Sequence, residues 1–312
     1  MCARLWCAAL FALGAGVAGA QPVLFAPGVV STPDNERNAT FTPDGDTVYF
    51  VKRGAGGPYY SAICISARIH GRWMTPRIAP FSGRYIDGDP TISPDGQTLV
   101  FMSTRGGASH LWVVRRTSGG GWGEPDALPA PTASDAAEGT PSFGPDGSLY
   151  FGSSRAGGAG SFDLYVAARD GDHWSAPVAL TAVNTAAAEF SPAVSKDGTL
   201  LVFASVGRPD ELIGAGRTYR RGDLYVSRKI GEAWGPPVHL PPPINSVAAE
   251  CCVSFSPDGE TMYFTSERGF AMDTPAQALT WAGMREGLQS ILNGLGNIYA
   301  IPTRDVRALA TP

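Results

Sequence analysis

The sequence contains little charge. Asp, Glu, Lys and Arg make up 17% of its 312 residues, against the roughly 25% that is typical of soluble domains. The net charge is −4, so the chain lacks the basic excess that neutralises phosphates, and nucleic acid is excluded as a general partner. Disorder is also excluded, because 44% of the residues are hydrophobic and disordered chains are poor in apolar residues.

Known catalytic motifs are also missing. The sequence has no Gly-x-Ser-x-Gly nucleophile elbow, no His-Glu-x-x-His zinc motif and no phosphate-binding loop. Its four histidines form no local ligand pattern. The sequence therefore favours a role that is not enzymatic.

Long apolar segments are absent after residue 20, so no membrane-spanning helix is expected there. Residues 1–20 combine a basic N-terminus, an uncharged apolar run and a final Ala-Gly-Ala, which is the pattern of a secretory signal peptide. A buried N-terminal helix or a membrane anchor is the alternative. The signal peptide predicts a periplasmic or secreted protein in which residues 21–312 form a single, monomeric domain.

Glycine and proline are abundant, with 39 and 26 residues. Both weaken helix interiors, so they favour many short strands joined by turns. An Asp-Gly pair recurs five times, and its aspartates lie 51, 51, 51 and 61 residues apart. The five aspartates are Asp44, Asp95, Asp146, Asp197 and Asp258. A fixed period in this range indicates a solenoid, a propeller or an array.

Each repeat unit reads as four strands. In the third unit, short apolar runs flank the Asp-Gly turn, and further runs follow at 163–166 and 178–180. The fifth unit stops after its third strand, and residues 22–25 resemble the missing fourth strand. We therefore predict an all-β fold: a five-bladed β-propeller of four-stranded antiparallel blades, closed by the N-terminal strand, with a helical insert in the last blade.

The repeat resembles a known family. The segment Phe143 to Arg155, followed by Asp163-Leu164-Tyr165, is similar to the WD40-like repeat (PD40) of TolB-like propellers. Val183-Asn184 and Ile244-Asn245, each with an acid five residues after the asparagine, fit the same pattern. The resemblance covers nearly all of residues 21–312. It implies a propeller fold, and the family includes protein-binding and peptidase-associated propellers.

An acid lies eight residues before each repeat aspartate, and an arginine lies nine to eleven residues after it. The acids are Glu36, Asp87, Glu138, Glu189 and Glu250, and the arginines are Arg53, Arg105, Arg155, Arg208 and Arg268. The acids are expected at the start of the innermost strands, where they would form an acidic ring at one mouth of the central channel. A hairpin folded at the Asp-Gly turn is expected to bring each acid near its own arginine.

Two interpretations of these ten residues remain open. They are either repeated ion pairs that tie the first two strands together, or ligand-binding candidates on a ring that takes a cation, a basic peptide or a sugar. Hard oxygen ligands would suit Ca²⁺ or Mg²⁺, so a Ca²⁺-stabilised scaffold is one option. No other cofactor is expected.

The fifth unit contains an insert at residues 269–296, expected on the same face as the acidic ring. Thr274-Pro275 is a helix-start signal, with Gln277 three residues after the threonine. Leu288, Ile291, Leu292 and Leu295 are predicted to share one helical face. The insert either covers the channel mouth or docks a partner.

Three cysteines follow the signal segment: Cys64, Cys251 and Cys252. A disulfide from Cys64 to one of the pair, a bond between the adjacent two, or free thiols are all open.

These observations favour an exported, non-enzymatic propeller that binds a protein, peptide or cell-envelope component on the face carrying the acidic ring. The alternative is a glycan-active enzyme that uses carboxylates at the channel mouth. The two hypotheses differ in whether the acids are free or paired with the arginines.

Overall fold

The computed structural model describes residues 21–54, 60–213, 222–269, 278 and 280–310. Within them, five antiparallel sheets lie around a central axis, and the innermost strand of each contacts those of its two neighbours, so the ring is closed. The predicted five-bladed propeller is confirmed. The signal segment 1–20 lies outside the described residues and stays a prediction.

The strands fall into four layers from the axis outward. The innermost are β2 (Asn35–Phe41), β7 (Asp87–Ile92), β11 (Glu138–Phe143), β17 (Ala188–Val194) and β22 (Glu250–Phe255). The second are β3 (Thr47–Arg53), β8 (Thr98–Ser103), β12 (Leu149–Ser153), β18 (Leu200–Val206) and β23 (Thr261–Ser266). The third are β4 (Ser61–Ile69), β9 (His110–Arg115), β13 (Asp163–Ala167), β19 (Asp223–Ile230) and β24 (Asn297–Pro302). The outermost are β6 (Arg77–Ile78), β10 (Asp126–Ala127), β16 (Val178–Ala179), β21 (Val238–His239) and β1 (Val23–Leu24).

Short strands and two helices complete the described chain. The short strands, which form the turn between the third and outermost layers, are β5 (Arg72–Trp73), β14 (Arg169–Asp170), β15 (His173–Trp174) and β20 (Ala233–Trp234). The helices are α1 (Trp281–Gln289) and α2 (Thr303–Leu309). Neither described helix is long and apolar enough to cross a membrane.

The Asp-Gly pairs form the tight turns between the first and second strands. Their five glycines have φ between 71° and 83°, a region that residues with a Cβ rarely adopt. In the first turn, one carboxylate oxygen of Asp44 accepts hydrogen bonds from the Thr42 hydroxyl at 2.6 Å and the Asp46 N–H at 2.9 Å. The repeat therefore fixes the hairpin through both residues of the pair.

The N-terminal strand closes the ring as expected. In β1, Val23 pairs with Ala300 and Leu24 with Tyr299. The next residue, Phe25, donates its N–H to the Ile298 carbonyl at 2.9 Å. The last blade thus obtains its outermost strand from the start of the described chain, and β24 is not left as an open edge.

The core lies between the sheets. The second strand of each blade carries a fully buried phenylalanine at the equivalent position: Phe50, Phe101, Phe151, Phe203 and Phe264. Side chains alternate between strand faces, so the same position enters the core in each blade.

Helix α2 follows the last strand and was not predicted. Its Val306 is fully buried, and its Arg307 forms a 2.7 Å ion pair with Asp197 at the turn of the fourth blade. The tail therefore fastens the fifth blade to the fourth.

Candidate functional site

The five acids lie where the sequence places them, at the start of the innermost strands, but their side chains are 0–1% exposed. Each accepts hydrogen bonds from the loop that enters its own strand. For example, Glu189 accepts from the Thr185 N–H at 3.0 Å and the Thr185 hydroxyl at 2.6 Å. Glu250 contacts the backbone and hydroxyl of Ser246 in the same way, at 3.0 and 2.7 Å. The acids hold these loops in place and do not line an open carboxylate funnel.

Four acids pair with the predicted arginine of their own blade. The shortest N···O distances are 2.9 Å for Arg105–Asp87, 3.2 Å for Arg155–Glu138, 3.0 Å for Arg208–Glu189 and 3.3 Å for Arg268–Glu250. All four arginines also donate to a loop carbonyl of the same blade: Arg105 to Phe81 O at 3.0 Å, Arg155 to Thr132 O at 2.7 Å, Arg268 to Pro243 O at 2.8 Å and Arg208 to Val183 O. Both charges of each pair therefore stabilise the blade to which they belong.

Each of the four guanidinium groups also lies over aromatic rings of the second and third strands. In the fourth blade Arg208 is 5.2 Å from the Phe203 centroid and 4.6 Å from that of Tyr225. The same contact recurs in the others: Arg105 with Phe101 and Trp112, Arg155 with Phe151 and Tyr165, and Arg268 with Phe264 and Tyr299. Cation–π contact adds to these ion pairs, and we call each acid, arginine and aromatic pair a blade clasp.

The first blade differs from the prediction. Glu36 pairs with Lys52 at 3.1 Å and not with Arg53. The strand register explains this, because Lys52 stands opposite Glu36, where the other blades have a serine. Arg53 is one residue further along, so strand alternation turns it to the other side. Among the described residues, the side chain of Arg53 forms no ion pair or hydrogen bond, and the residue is half-buried.

Burial raises the pKa of both Glu36 and Glu250, although nearby hydroxyls and cations oppose that shift. The cost of removing these carboxylates from water is therefore large in the folded blade. The geometry favours the ion-pair interpretation for nine of the ten residues, all except Arg53. Ligand binding by them stays a prediction.

A second ring, which sequence reasoning missed, surrounds the channel axis. The residue two positions after each acid has a φ between 49° and 61°: Asn38, Asp89, Thr140, Ser191 and Cys252. The first two strands of every blade shift register at this point, which marks a β-bulge. A positive φ is uncommon for residues other than glycine. The signal in the sequence is a polar or small residue at a fixed offset in all five units.

These five residues at the β-bulges, which we call the bulge ring, join neighbouring blades. The Thr140 N–H donates to the Asp89 carboxylate at 3.3 Å, and the Ser191 N–H donates to the Thr140 hydroxyl at 3.0 Å. Asp89 also lies close enough to Arg37 and Arg53 for both cations to lower its pKa, although burial has the larger effect and raises it. Arg37 in turn forms an ion pair with Glu267.

We call Arg37, Arg53, Asp89 and Glu267 the axial cluster. The position of Arg37 is occupied in the other blades by Gly88, Gly139, Phe190 and Cys251, so the cluster is not a product of the repeat. Residues that occur in a single blade are better candidates for a specific function than residues carried by every repeat.

The insert lies on the acidic-ring face, as expected. The Asn293 amide donates to the Pro33 carbonyl at 2.7 Å, and the Glu36 N–H donates to the Gly296 carbonyl at 2.7 Å. These contacts join the insert to the loop that enters the first blade. A cavity of about 430 Å³ lies beside them, lined among others by Lys52, Arg53 and Leu295.

The predicted helix of the insert is only partly right. Thr274, Pro275 and Gln277 lie outside the described residues. Helix α1 is capped by Thr280, whose hydroxyl accepts the Gly283 N–H, and it ends at extended Ser290. Ile291, Leu292 and Leu295 therefore follow the helix, and the predicted four-residue apolar face is wrong. The Ser290 N–H and hydroxyl both bond to the Gly287 carbonyl, at 3.1 and 2.8 Å, which closes the last turn.

The opposite mouth of the channel holds another cavity, of about 410 Å³, formed by the Asp-Gly ends of all five innermost strands. Its rim contains Pro43, Pro94, Pro145 and Pro257. The fourth blade has Lys196 at this position, and Lys196 is the only charged residue among the described residues that line the cavity. We call this cavity the turn-side pocket.

Removal of divalent metal is expected to leave the melting temperature unchanged. No group of three or more His, Cys, Asp or Glu side chains is arranged to hold a metal ion within the described ranges, and the ring acids already have hydrogen-bond donors and cations. Thermal melts with and without EDTA test this. A fall of several degrees that added Ca²⁺ restores would contradict it and favour the metal-stabilised scaffold.

Comparisons with known proteins bear on the fold. No protein-family model matches the chain, and no curated protein matches it. Among solved structures it is similar to an α-L-arabinofuranosidase from Lactobacillus brevis, with a TM-score of 0.50 and 14% identity over 88% of this chain and 92% of that one. It is also similar to TolB from Acinetobacter baumannii, with a TM-score of 0.49 and 17% identity over 86% of this chain.

The chain spans about half of that TolB, since the match covers 54% of its length. At these identities the likeness concerns the fold alone. The protein is a five-bladed β-propeller, built from a repeat whose sequence resembles the WD40-like repeat of TolB-like propellers.

Proposed function

We propose that the protein is an exported, non-enzymatic propeller that binds a protein, peptide or cell-envelope component on the acidic-ring face. Export rests on the signal-peptide pattern of residues 1–20. The binding face rests on three features that depart from the repeat on one side of the ring: helix α1, the axial cluster and the cavity beside Leu295.

The exposure of helix α1 is the observation that carries the proposal. None of its described side chains is buried. Trp281 is 69% exposed and Leu288 is 57% exposed, and Leu292 just after the helix is 44% exposed. A helix that served only as a cover would bury its apolar side chains against the blades. Exposed aromatic and aliphatic groups grouped in one insert are instead typical of a protein-binding surface.

Charge adds a second requirement for the partner. Arg53 lines the cavity beside the insert and has no ion-pair partner among the described residues. A partner segment with apolar side chains and an adjacent carboxylate would cover α1 and neutralise Arg53. We therefore propose a protein or peptide partner with an acidic, apolar segment, in preference to a glycan or a lipid.

The glycan-active alternative needs a pair of carboxylates that can protonate a leaving group and attack or activate water. All five ring acids are buried, and each is paired with a cation of its own blade. This pairing weighs against general acid catalysis by the acidic ring.

A double variant of the insert, Trp281→Ser with Leu288→Ser, is expected to weaken partner binding at least about tenfold, because hot-spot side chains each contribute about 2 kcal/mol or more. The bait is the full-length protein, and the prey is the native envelope fraction. The captured partner is then titrated against the wild type and the variant.

The matched control is Ile69→Ser with Ile230→Ser. These side chains are 50% and 63% exposed, and they lie at the far ends of third strands, on the opposite face. The control is expected to bind as the wild type does. Equal binding by the insert variant, loss of binding in the control, or no specific capture by the wild type would each overturn the proposal.

A further inference from the structure

We propose that Cys251 and Cys252 are a redox-active dithiol that a small peroxide converts into a disulfide between the two adjacent residues. The site lies at the bulge of the fifth innermost strand, beside the axial cluster. It is a modification site in its own right and does not depend on the binding function proposed above.

The bulge brings the two sulfur atoms together. Successive side chains of a regular strand point to opposite faces, which would separate adjacent thiols. Cys252 has a φ of 61°, and the register shifts between Cys251 and Ser254. The two Sγ atoms are consequently 2.8 Å apart. A disulfide has an S–S distance of about 2.05 Å, so bond formation requires an approach of less than about 1 Å.

Neighbouring groups prepare one of the thiols for oxidation. The Arg37 guanidinium donates to the Cys251 Sγ at 3.5 Å, and the Ser191 hydroxyl lies 4.0 Å from the Cys252 Sγ. The hydrogen bond from Cys251 lowers the pKa of Cys252, and Arg37 lowers it further, while burial and Asp89 oppose the shift. The same hydrogen bond raises the pKa of Cys251, with burial. Because the thiolate is the reactive species, Cys252 is the sulfur that attacks.

Burial decides the class of oxidant. Cys251 and Cys252 are 5% and 6% exposed, so a protein oxidant cannot reach them in the folded chain. Hydrogen peroxide is little larger than a water molecule and can reach them. Cys64 is equally buried, at 5%, but burial raises its pKa and it has no sulfur neighbour among the described residues. All three are free thiols in the structure, so the Cys64 disulfide considered from the sequence is not formed.

The chemistry balances with hydrogen peroxide as the oxidant. The Cys252 thiolate attacks one peroxide oxygen, the O–O bond breaks, and Cys252 sulfenic acid and hydroxide form. The Cys251 sulfur then attacks the Cys252 sulfur, the S–O bond breaks, and the leaving hydroxyl takes up a proton as water. In sum, two thiols lose two electrons and two protons, and one peroxide becomes two waters.

The test uses the reduced full-length protein, near-stoichiometric hydrogen peroxide, alkylation of the remaining thiols and peptide mass measurement. The peptide that contains residues 251–252 is expected to lose two hydrogen atoms and to escape alkylation, while Cys64 stays fully alkylated. A phosphine reductant should restore both thiols. The Cys64→Ser variant is expected to react at the wild-type rate.

Arg37→Gln is expected to slow the reaction about tenfold, because Arg37 lowers the pKa of Cys252, and Arg37→Lys should restore much of the rate. If Arg37→Gln does not fold, the contrast between the pair and Cys64 in the wild type decides. Oxidation of Cys64 before the pair, sulfinic acid without a disulfide, or no reaction of the pair would overturn the proposal.

Discussion

Replacement of Glu189 by alanine is expected to lower the free energy of unfolding by about 3–5 kcal/mol, because it breaks a buried ion pair by removing one of its partners. Glu189 is fully buried, and Arg208 is 3.0 Å away with a side chain that is 9% exposed. The variant also removes the acceptor of the Thr185 and Ser205 hydroxyls. Urea unfolding with linear extrapolation measures the loss.

The matched control for Glu189→Ala is Asp46→Ala. Asp46 and Arg68 form an ion pair at 3.0 Å, but their side chains are 58% and 41% exposed. Pairs of this kind contribute about 0–1 kcal/mol, so the control should unfold almost as the wild type does. If Glu189→Ala lost no more than Asp46→Ala, the blade clasp would not be a structural element.

Phe25→Ala is expected to destabilise the protein by about 3 kcal/mol, because it removes an aromatic side chain from the seam of the ring. The Phe25 ring centroid lies 5.6 Å from Phe41, 5.5 Å from Trp73 and 5.0 Å from Tyr263, in edge-to-face contacts. These partners belong to the first and last blades, so one side chain holds both sides of the closure. The change in unfolding free energy is measured as for Glu189→Ala.

Val23→Ala, in the same strand, is the control for Phe25→Ala. Val23 is 61% exposed, and its pairing with Ala300 uses backbone groups that the substitution keeps. A change within about 0.5 kcal/mol is expected. Equal losses for the two variants, or none for Phe25→Ala, would mean that the seam does not depend on this packing.

The parts of the structure that repeat were predictable from the sequence. The Asp-Gly turns, the four strands of each blade, closure by residues 22–25 and four of the five acid–arginine pairs follow from spacing alone. Each is set by local backbone chemistry or by strand register, and both recur with the period of the repeat.

The parts that depart from the repeat were not predictable in the same way. The spacing predicts an Arg53–Glu36 pair, because the distance of Arg53 from Asp44 fits the repeat pattern. In the structure Lys52 stands opposite Glu36, since the register is set by the folded hairpin. The apolar spacing at 288–295 suggested a longer helix, yet Ser290 ends it by a local hydrogen bond that the spacing does not encode. Helix α2 depends on contacts with the fourth blade, which lie far away in the sequence.

The bulge ring is an intermediate case. Its five residues occur at a constant offset from the acids, so the position could have been noticed. The left-handed backbone at residues such as Thr140 is not favoured by the side chains themselves. It is stabilised by hydrogen bonds between neighbouring blades, which only the closed ring provides.

Amide hydrogen exchange with and without the captured partner is the most direct test of the proposal that binding takes place on the acidic-ring face. We expect slower exchange at residues 281–292 and at the loop 32–35 that contacts the insert, with exchange at the Asp-Gly turns unchanged. Protection confined to the turn-side pocket, for example at residues 193–198, would place the partner at the opposite mouth and contradict the account.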